Sequence, residues 1–324
     1  MTQTLLDNSV MFHDHQPEGL SLYDAVVEGL SQPRKEIPPK FFYDERGSRL
    51  FDEICDQPEY YLPDAERALL INCIGEIAEL TGTGRVVIEP GAGSLAKIRL
   101  LLDALQPTAY VPMDISADYL QDAALELSAD FPELPIHATC VDFTHSLPVP
   151  EPVPNHHRLA FFPGSSLGNF HQDEALAFLT RIHNALNQHG MLLIGVDTKK
   201  SSSVLHAAYN DAAGVTAEFN LNLLRRIRHE LEADCDPAGF DHHAFYNSDE
   251  GRVEMHLVSK QEQEVRINGH RFRFMPGETV HTECSYKYAP EEFLDLAAKA
   301  GFSPVKHWLA KDELFGVYLL RVDQ

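Results

Sequence analysis

The string Glu89-Pro90-Gly91-Ala92-Gly93-Ser94 is the first in the chain whose residue types suggest chemistry. Glycines placed directly after a strand let the backbone turn tightly and come close to a nucleotide-like ligand. Asp114 lies 23 residues beyond Gly91, the spacing of an acidic group that accepts the two hydroxyls of a ribose. Asp142-Phe143 closes another short apolar run, where a carboxylate and an aromatic ring can hold the edge and the face of an adenine. Three such elements at successive strand ends point to an adenosine-containing cofactor.

Further polar groups stand out from apolar surroundings. Asn169 ends Phe162-Pro163-Gly164-Ser165-Ser166-Leu167-Gly168-Asn169. Its amide can donate to and accept from a substrate carboxylate or amine, and it reads equally as a helix cap. Three more stretches follow: 208–222, which contains Tyr209 and Thr216; Arg252-Val253-Glu254-Met255; and Thr282-Glu283-Cys284-Ser285. Taken singly, Tyr209, Glu283 and Ser285 read first as structural groups with a satisfied hydrogen bond. His13 and His15, His156 and His157, and His242 and His243 are close pairs. None has the Cys, Asp or Glu spacing of a metal centre, so no metal is expected.

The elements that must position these groups alternate. Residues 64–80 read as a helix, 85–89 as a strand and 95–105 as a helix. Residues 109–115 read as a strand, 117–131 as a helix and 136–141 as a strand. Residues 159–163, 173–188 and 191–197 read as strand, helix and strand. Five short apolar strands separated by helices predict a parallel, doubly wound α/β sheet covered on both faces. The pattern then changes. Residues 202–233 read as helical and 241–286 as alternating strands, an antiparallel α+β insertion. A helix over 291–300 and strands over 304–309 and 314–322 close the chain as an antiparallel hairpin. Before the alternation, 1–20 lack periodicity and read as a mobile arm. Leu22, Val26 and Leu30 begin a short amphipathic helix. Residues 32–63 combine five prolines with Phe41, Phe42, Tyr43, Phe51, Tyr60 and Tyr61, the composition of broken structure lining a core or a pocket.

Gly91-x-Gly93-x-x-Ala96 formally fits a dinucleotide fingerprint, so NAD is a rival cofactor. Three features favour S-adenosylmethionine. Glu89 is acidic two residues before the first glycine, where a cationic sulfonium gains and a pyrophosphate does not. The glycine strand follows a long N-terminal segment instead of opening the chain. The C-terminal hairpin is the usual ending of class I methyltransferases and not of dehydrogenases.

Composition bounds the partners. Lys plus Arg number 26 and Asp plus Glu 49, a formal charge of −23, which argues against general affinity for nucleic acid or anionic membrane. An ordinary globular balance of 44% hydrophobic and 23% charged residues in 324 residues suggests two domains, or one large domain with an insertion. The start has no basic and apolar leader pattern, and no apolar run approaches the ~20 residues that span a bilayer. Cys55, Cys73, Cys140, Cys235 and Cys284 are odd in number and form no CxxC pair, which favours free thiols in a cytoplasmic protein.

With these residues assembled, the sequence resembles the S-adenosylmethionine-dependent, histidine-specific methyltransferases, the Nα-methyltransferases of ergothioneine biosynthesis. The resemblance runs from about Ser21 to the C-terminus. It is carried by the string from Ile37 to Ile54, Ile-Pro-Pro-Lys-Phe-Phe-Tyr-Asp-Glu-Arg-Gly-Ser-Arg-Leu-Phe-Asp-Glu-Ile, by Pro58-Glu59-Tyr60-Tyr61, by 208–222 and by Glu283-x-Ser285. The glycine turn reads Glu-Pro-Gly-Ala-Gly-Ser where Glu-Leu-Gly-Ser-Gly-Thr-like strings are more usual, and no functional side chain is lost by that.

The resemblance implies a class I methyltransferase Rossmann-like, seven-stranded sheet over 62–199 and 287–324. It also implies a discontinuous α+β substrate-binding domain over 1–61 and 200–286. Tyr60, Gly91, Gly93, Lys97, Asp114, Asp142 and Phe143 would contact S-adenosylmethionine. Asn169 and Tyr209 would hold the carboxylate of L-histidine. Tyr43, Phe51, Gly164 and Thr216 would shape the amino end of the pocket, with Tyr60 beside them, and Met255, Glu283 and Ser285 would recognise imidazole. Tyr43, Asn169 and Tyr209 would be the catalytic residues. The implied reaction is trimethylation of the α-amine to hercynine by a monomer with a small-molecule substrate. Glu283 can accept an imidazole N–H. An aliphatic or indole side chain would leave it unpaired, at a cost of roughly 1–3 kcal/mol or more. Two alternatives remain open: the same fold acting on a tryptophan or histidine-thioether derivative, and a non-catalytic relative that binds the cofactor alone.

Overall fold

The computed structural model describes residues 2–7, 9–15 and 21–323. In chain order the elements are β1 (Thr2–Asp7), β2 (Val10–Asp14), α1 (Leu22–Ser31), β3 (Lys35–Glu36), α2 (Glu45–Cys55), α3 (Leu62–Thr81), β4 (Val86–Pro90) and α4 (Arg99–Leu105). They continue as β5 (Ala109–Asp114), α5 (Ala117–Asp130), β6 (Ile136–Cys140), β7 (Arg158–Phe162), α6 (Gln172–Leu186) and β8 (Met191–Asp197). Then come α7 (Ser202–Ala208), α8 (Val215–Glu230), β9 (Phe240–Asn247), β10 (Arg252–Ser259), β11 (Gln263–Ile267), β12 (His270–Phe274) and β13 (Thr279–Tyr286). The chain ends with α9 (Pro290–Lys299), β14 (Phe302–Leu309) and β15 (Phe315–Val322). Two compact units result: Met1–Gly19 with Leu62–Lys199 and Lys287–Gln324, and Leu20–Tyr61 with Lys200–Tyr286.

The first unit is built on a sheet in the order β1-β2-β6-β5-β4-β7-β8-β15-β14. β4 to β8 are parallel, and β15 enters antiparallel between β8 and β14. The strands from β6 to β14 reproduce the doubly wound order with its C-terminal hairpin. β4, β7 and β8 are buried along their whole length, which explains why they read as unbroken apolar runs.

The expectation for the N-terminus fails. The seven strands expected over 62–199 and 287–324 are all present, and the presumed mobile arm adds two more, making nine in this sheet among the described residues. β2 pairs in parallel with β6, from Val10 beside Ile136 to Asp14 beside Cys140, burying Val10 and Phe12. β1 folds back on β2. Residues 2–7 and 9–15 therefore belong to the first unit and not with 21–61. Residues 1, 8 and 16–20 of the expected arm lie outside the described residues. A five-residue strand gains its burial from a distant neighbour, so its own periodicity carries little signal.

The second unit is a four-stranded sheet in the order β3-β13-β10-β9, with β11 and β12 as a separate hairpin. One apolar core joins α1, the aromatics of 41–61, α7, α8 and the inward faces of these strands. The helical stretch expected over 202–233 is two helices, broken at Tyr209 and restarted after Gly214, whose φ of +76° suits glycine. Asp211 accepts the backbone N–H groups of Val215 and Thr216, each at 2.8 Å, which fixes the start of α8.

Candidate active-site residues

In the first unit the turn after β4 is held by left-handed backbone. Gly91 and Gly93 have φ of +67° and +55°, and Leu95 follows at +57°. These conformations delay regular helix until Arg99, four residues after the expected start. A Cβ at Gly91 would lie 3.2 Å from the Phe143 ring, whereas one at Gly93 would meet nothing within 4 Å. Gly93 thus opens a bare stretch of backbone, and Gly91 admits an aromatic ring against the turn.

Asp114 ends β5 and braces that turn. Its carboxylate accepts the Gly93 N–H at 3.1 Å and the Ser116 N–H at 3.0 Å. Burial pushes its pKa up, opposed by these backbone N–H bonds. Asp142 accepts the Thr144 N–H at 3.0 Å and stands 3.2 Å from His145 Nδ1, so it shapes the loop that presents Phe143. Bare glycine backbone, a carboxylate at the second strand end and an aromatic at the third fit an adenosine ligand. Glu89 departs from its expected part as a free carboxylate facing a cation. It is buried and accepts the hydroxyl of Tyr110, and burial pushes it up to about 8, so it is mostly protonated at neutral pH.

One residue of this unit escaped the sequence reading. Glu66 is 1% exposed. Its carboxylate accepts the Gly164 N–H at 2.9 and 3.0 Å and pairs with Lys97 Nζ at 2.7 Å. It thereby ties the segment after the glycine turn to the loop after β7. Gly164 takes φ of +82°, and a Cβ there would come 2.9 Å from Lys97 Nζ. Ser165 follows with φ of +59°, its hydroxyl accepting the Asp197 N–H at 2.8 Å. Asn169 ends the short 3-10 turn that comes next. The signal for Glu66 was present in the sequence: it occupies the stripe of Leu62, Leu69, Leu70, Cys73 and Ile77 on α3, and an acid on an apolar stripe must find partners.

In the second unit the decisive feature is a bulge. β10 and β13 pair Met255 with Glu283 and Val253 with Ser285, but His256 with His281, so one extra residue, Thr282, sits in β13. Without it, alternation would put Glu283 on the His281 face. With it, Met255, Glu283 and Ser285 share one face. Tyr209, at the end of α7, donates its hydroxyl to Ser285 Oγ at 2.8 Å. Tyr43, Phe51, Tyr60 and Tyr209 form a chain of edge-to-face rings 5.9–6.5 Å apart, with Phe219 of α8 against Tyr43 and Phe51. Burial, then the neighbouring Tyr209, Cys55, Glu283 and Tyr43, pushes the Tyr60 hydroxyl far above its usual pKa. These side chains therefore form one patch. Thr216 lies one helical turn before Phe219. Asp44 caps α2 through the Gly47 N–H at 2.7 Å and accepts Asn222 at 2.9 Å, fixing the backbone next to Tyr43.

Asn220 also went unrecognised in the sequence, where His242 was weighed only as half of a histidine pair. The fully buried Asn220 amide lies 2.9 Å from His242 Nδ1, donates to the His256 carbonyl at 3.1 Å and accepts Thr282 Oγ1 at 2.8 Å. His242 Nε2 is 2.9 Å from the Tyr209 carbonyl. An amide donating to Nδ1 leaves the proton on Nε2, which donates to that carbonyl. Burial lowers the His242 pKa and keeps the ring neutral. The network joins the bulge to the residue that ends α7.

Comparison with known proteins gives the family. The chain is 38% identical over 301 residues to the histidine N-alpha-methyltransferase of Mycolicibacterium smegmatis, covering 91% of this chain and 92% of that one. It is 37% identical to the enzyme of the same name from Mycobacterium tuberculosis, covering 93% and 94%. An S-adenosylmethionine-dependent methyltransferase from Clostridium acetobutylicum shares the fold, with a TM-score of 0.52 and 13% identity over 85% of this chain and 99% of that one. The family model of the histidine-specific, S-adenosylmethionine-dependent methyltransferases matches residues 22–322, and the chain belongs to that family.

Proposed function

We propose that the chain methylates the α-amine of L-histidine three times, with S-adenosylmethionine as methyl donor, to give hercynine in the first step of ergothioneine biosynthesis. The observation that carries this reading is the β13 bulge, which aligns Glu283 with Met255 and Ser285 beside Tyr209 in a member of this family. An imidazole lying against Met255 can donate one N–H to Glu283 and meet Ser285 with its other nitrogen. A side chain without an N–H at that point offers the carboxylate no donor.

The remaining roles follow. Gly91, Gly93, Lys97, Asp114, Asp142 and Phe143 hold the cofactor, with Asp114 toward ribose, Phe143 toward adenine and Tyr60 as a further contact. When bound, S-adenosylmethionine supplies an electrophilic methyl group on a sulfonium. Asn169 and Tyr209 bind the histidine carboxylate. Tyr43, Phe51, Gly164 and Thr216 border the amine, which reacts only when uncharged, so a desolvated surround that disfavours ammonium promotes transfer. Tyr43 orients the amine, and catalysis rests chiefly on positioning. Lys97 is paired to Glu66, so its part is to hold the turn in shape as well as to meet the ligand. The enzyme acts as a monomer. No helix among the described residues is long and apolar enough to cross a membrane, in keeping with a cytoplasmic enzyme on a small-molecule substrate.

The test is mass spectrometry of the chain incubated with S-adenosylmethionine and each of the twenty amino acids. Histidine alone should gain mass, by three methylene increments. Turnover of another amino acid in preference to histidine overturns the reading, as does cofactor binding with no turnover.

A further inference from the structure

The face of β10 opposite Val253 and Met255 carries Arg252, Glu254 and His256, as strand alternation requires. The β13 bulge brings His281 level with His256. On the same rung β9 sets His243 beside His256, and β3 sets Glu36 beside His281. The sheet thus assembles a row of titratable groups from four strands. A carboxylate oxygen of Glu254 and a ring nitrogen from each of His256 and His281 all lie within 4.8 Å of one another. The His256 and His281 rings stack with centroids 4.9 Å apart.

Their bonding leaves donor capacity unused. Arg252 holds Glu254 Oε1 at 2.8 Å, and His256 Nε2 lies 3.0 Å from Oε2. His256 Nδ1 is buried with no partner. His281 Nε2 faces the Glu283 carbonyl at 3.0 Å, so its Nδ1 is left toward Glu36 at 3.5 Å. A buried ring nitrogen without a partner is costly, and the same lone pair is what a metal ion takes.

We propose that Glu254, His256 and His281 form a binding site for a divalent transition-metal ion of the zinc class, on the sheet face opposite Met255 and Glu283. Two imidazoles and one carboxylate are a borderline-soft donor set that selects such ions over magnesium or calcium. Tetrahedral ligands with bonds of ~2.0–2.1 Å sit about 3.3 Å apart, so the three side chains close on the ion by small rotations. Glu36 and His243 flank the row and can complete the shell. The residues are 2 and 25 apart in sequence, a spacing that no linear metal motif displays. The ion would clamp β10 to β13.

The test uses the untagged full chain, titrated with zinc against a chromophoric chelator. One zinc per chain is expected. H256Q and H281Q should each weaken binding at least about tenfold, while H206Q, at an exposed histidine, leaves it unchanged. Zinc should raise the melting temperature of the parent chain and not of H256Q. Equal affinity in the parent and in the H256Q/H281Q double variant overturns the proposal. If the variants do not fold, the cobalt(II) spectrum of the parent decides. Intense visible bands of a low-coordinate site are expected, and only the faint spectrum of the hydrated ion overturns the proposal. None of these readings depends on methyl transfer, so they stand apart from the test of function.

Discussion

In the doubly wound unit Glu66, Asp114 and Asp142 direct their carboxylates at backbone N–H groups of Gly164, Gly93, Ser116 and Thr144. In the four-stranded unit the groups around the β13 bulge are also linked side chain to side chain: Tyr209 to Ser285, Thr282 to Asn220, Asn220 to His242. The first arrangement shapes a loop whose own backbone meets the ligand. The second fixes side chains whose identity sets what is recognised. A cofactor common to many enzymes suits the first, and a substrate particular to one family suits the second. Substitutions in each unit should therefore fail in different ways.

The largest effect is expected at Glu66. Glu66→Ala leaves the Gly164 N–H and Lys97 Nζ without their buried acceptor. Breaking such a set costs about 3 kcal/mol, because the partners stay desolvated. Urea unfolding should show that loss, and calorimetry should show weaker binding of S-adenosylhomocysteine. An unchanged affinity with the full loss of stability would confine Glu66 to a structural part. Asn220→Ala comes next. It removes three bonds in a fully buried setting, and about 2 kcal/mol of stability should go. Histidine binding should weaken as Tyr209 loosens, with cofactor binding untouched. Equal losses for both ligands would erase the contrast between the units.

Glu283→Gln sharpens the contrast on the recognition side. The amide keeps the shape and one acceptor but loses the charge that favours an imidazole N–H. The expected result is about a tenfold fall in kcat/KM for histidine, about 1.4 kcal/mol, with the cofactor affinity unchanged. A fall confined to kcat with KM unchanged would move Glu283 from recognition to the reacting end.

The same contrast explains what the sequence could reveal. Gly91, Gly93 and Asp114 were legible because backbone-shaped sites need glycine and fixed spacing from a strand end, both visible in one dimension. The parallel strands were legible because β4, β7 and β8 are buried throughout and β5 and β6 nearly so. The β13 bulge was not, since nothing local in Thr282-Glu283-Cys284-Ser285 tells which residue is unpaired; that depends on β10. Asn220 and His242 read as ordinary polar residues for the same reason. The patch of Tyr43, Phe51, Tyr60 and Tyr209 came from family resemblance, because no spacing rule joins residues 43–60 to residue 209. The strand β2 was missed because its partner is β6, more than a hundred residues away, and β1 because it folds back on β2.

The smallest effect concerns pH, and it separates two groups within the doubly wound unit. His13 is lowered to about 4, chiefly by burial and then by His137 and His15. Its unfolded form gains a proton below the usual 6.5, so its contribution to stability is present above 6.5 and is lost as pH falls toward 4. Glu89 runs the other way. Its folded pKa of about 8 exceeds the usual 4.5, so the folded state keeps a proton that the unfolded state has lost. Its contribution is full below 4.5 and is lost as pH rises toward 8. Between 4.5 and 6.5 the two slopes oppose each other, and above 6.5 Glu89 acts without that opposition. Stability should then fall by about 1 kcal/mol from pH 6.5 to 7.5, the limit for one proton per molecule being ~1.36 kcal/mol per pH unit. Glu89→Gln, which keeps an acceptor for Tyr110 but cannot ionise, should flatten that limb in urea titrations while leaving the acid limb steep. An unaltered slope above pH 6.5 would place the missing proton elsewhere. A cationic ligand near the turn favours the ionised carboxylate. Binding of S-adenosylmethionine should therefore release a fraction of a proton in the parent chain and none in Glu89→Gln, read as a dependence of the binding heat on the ionisation enthalpy of the buffer.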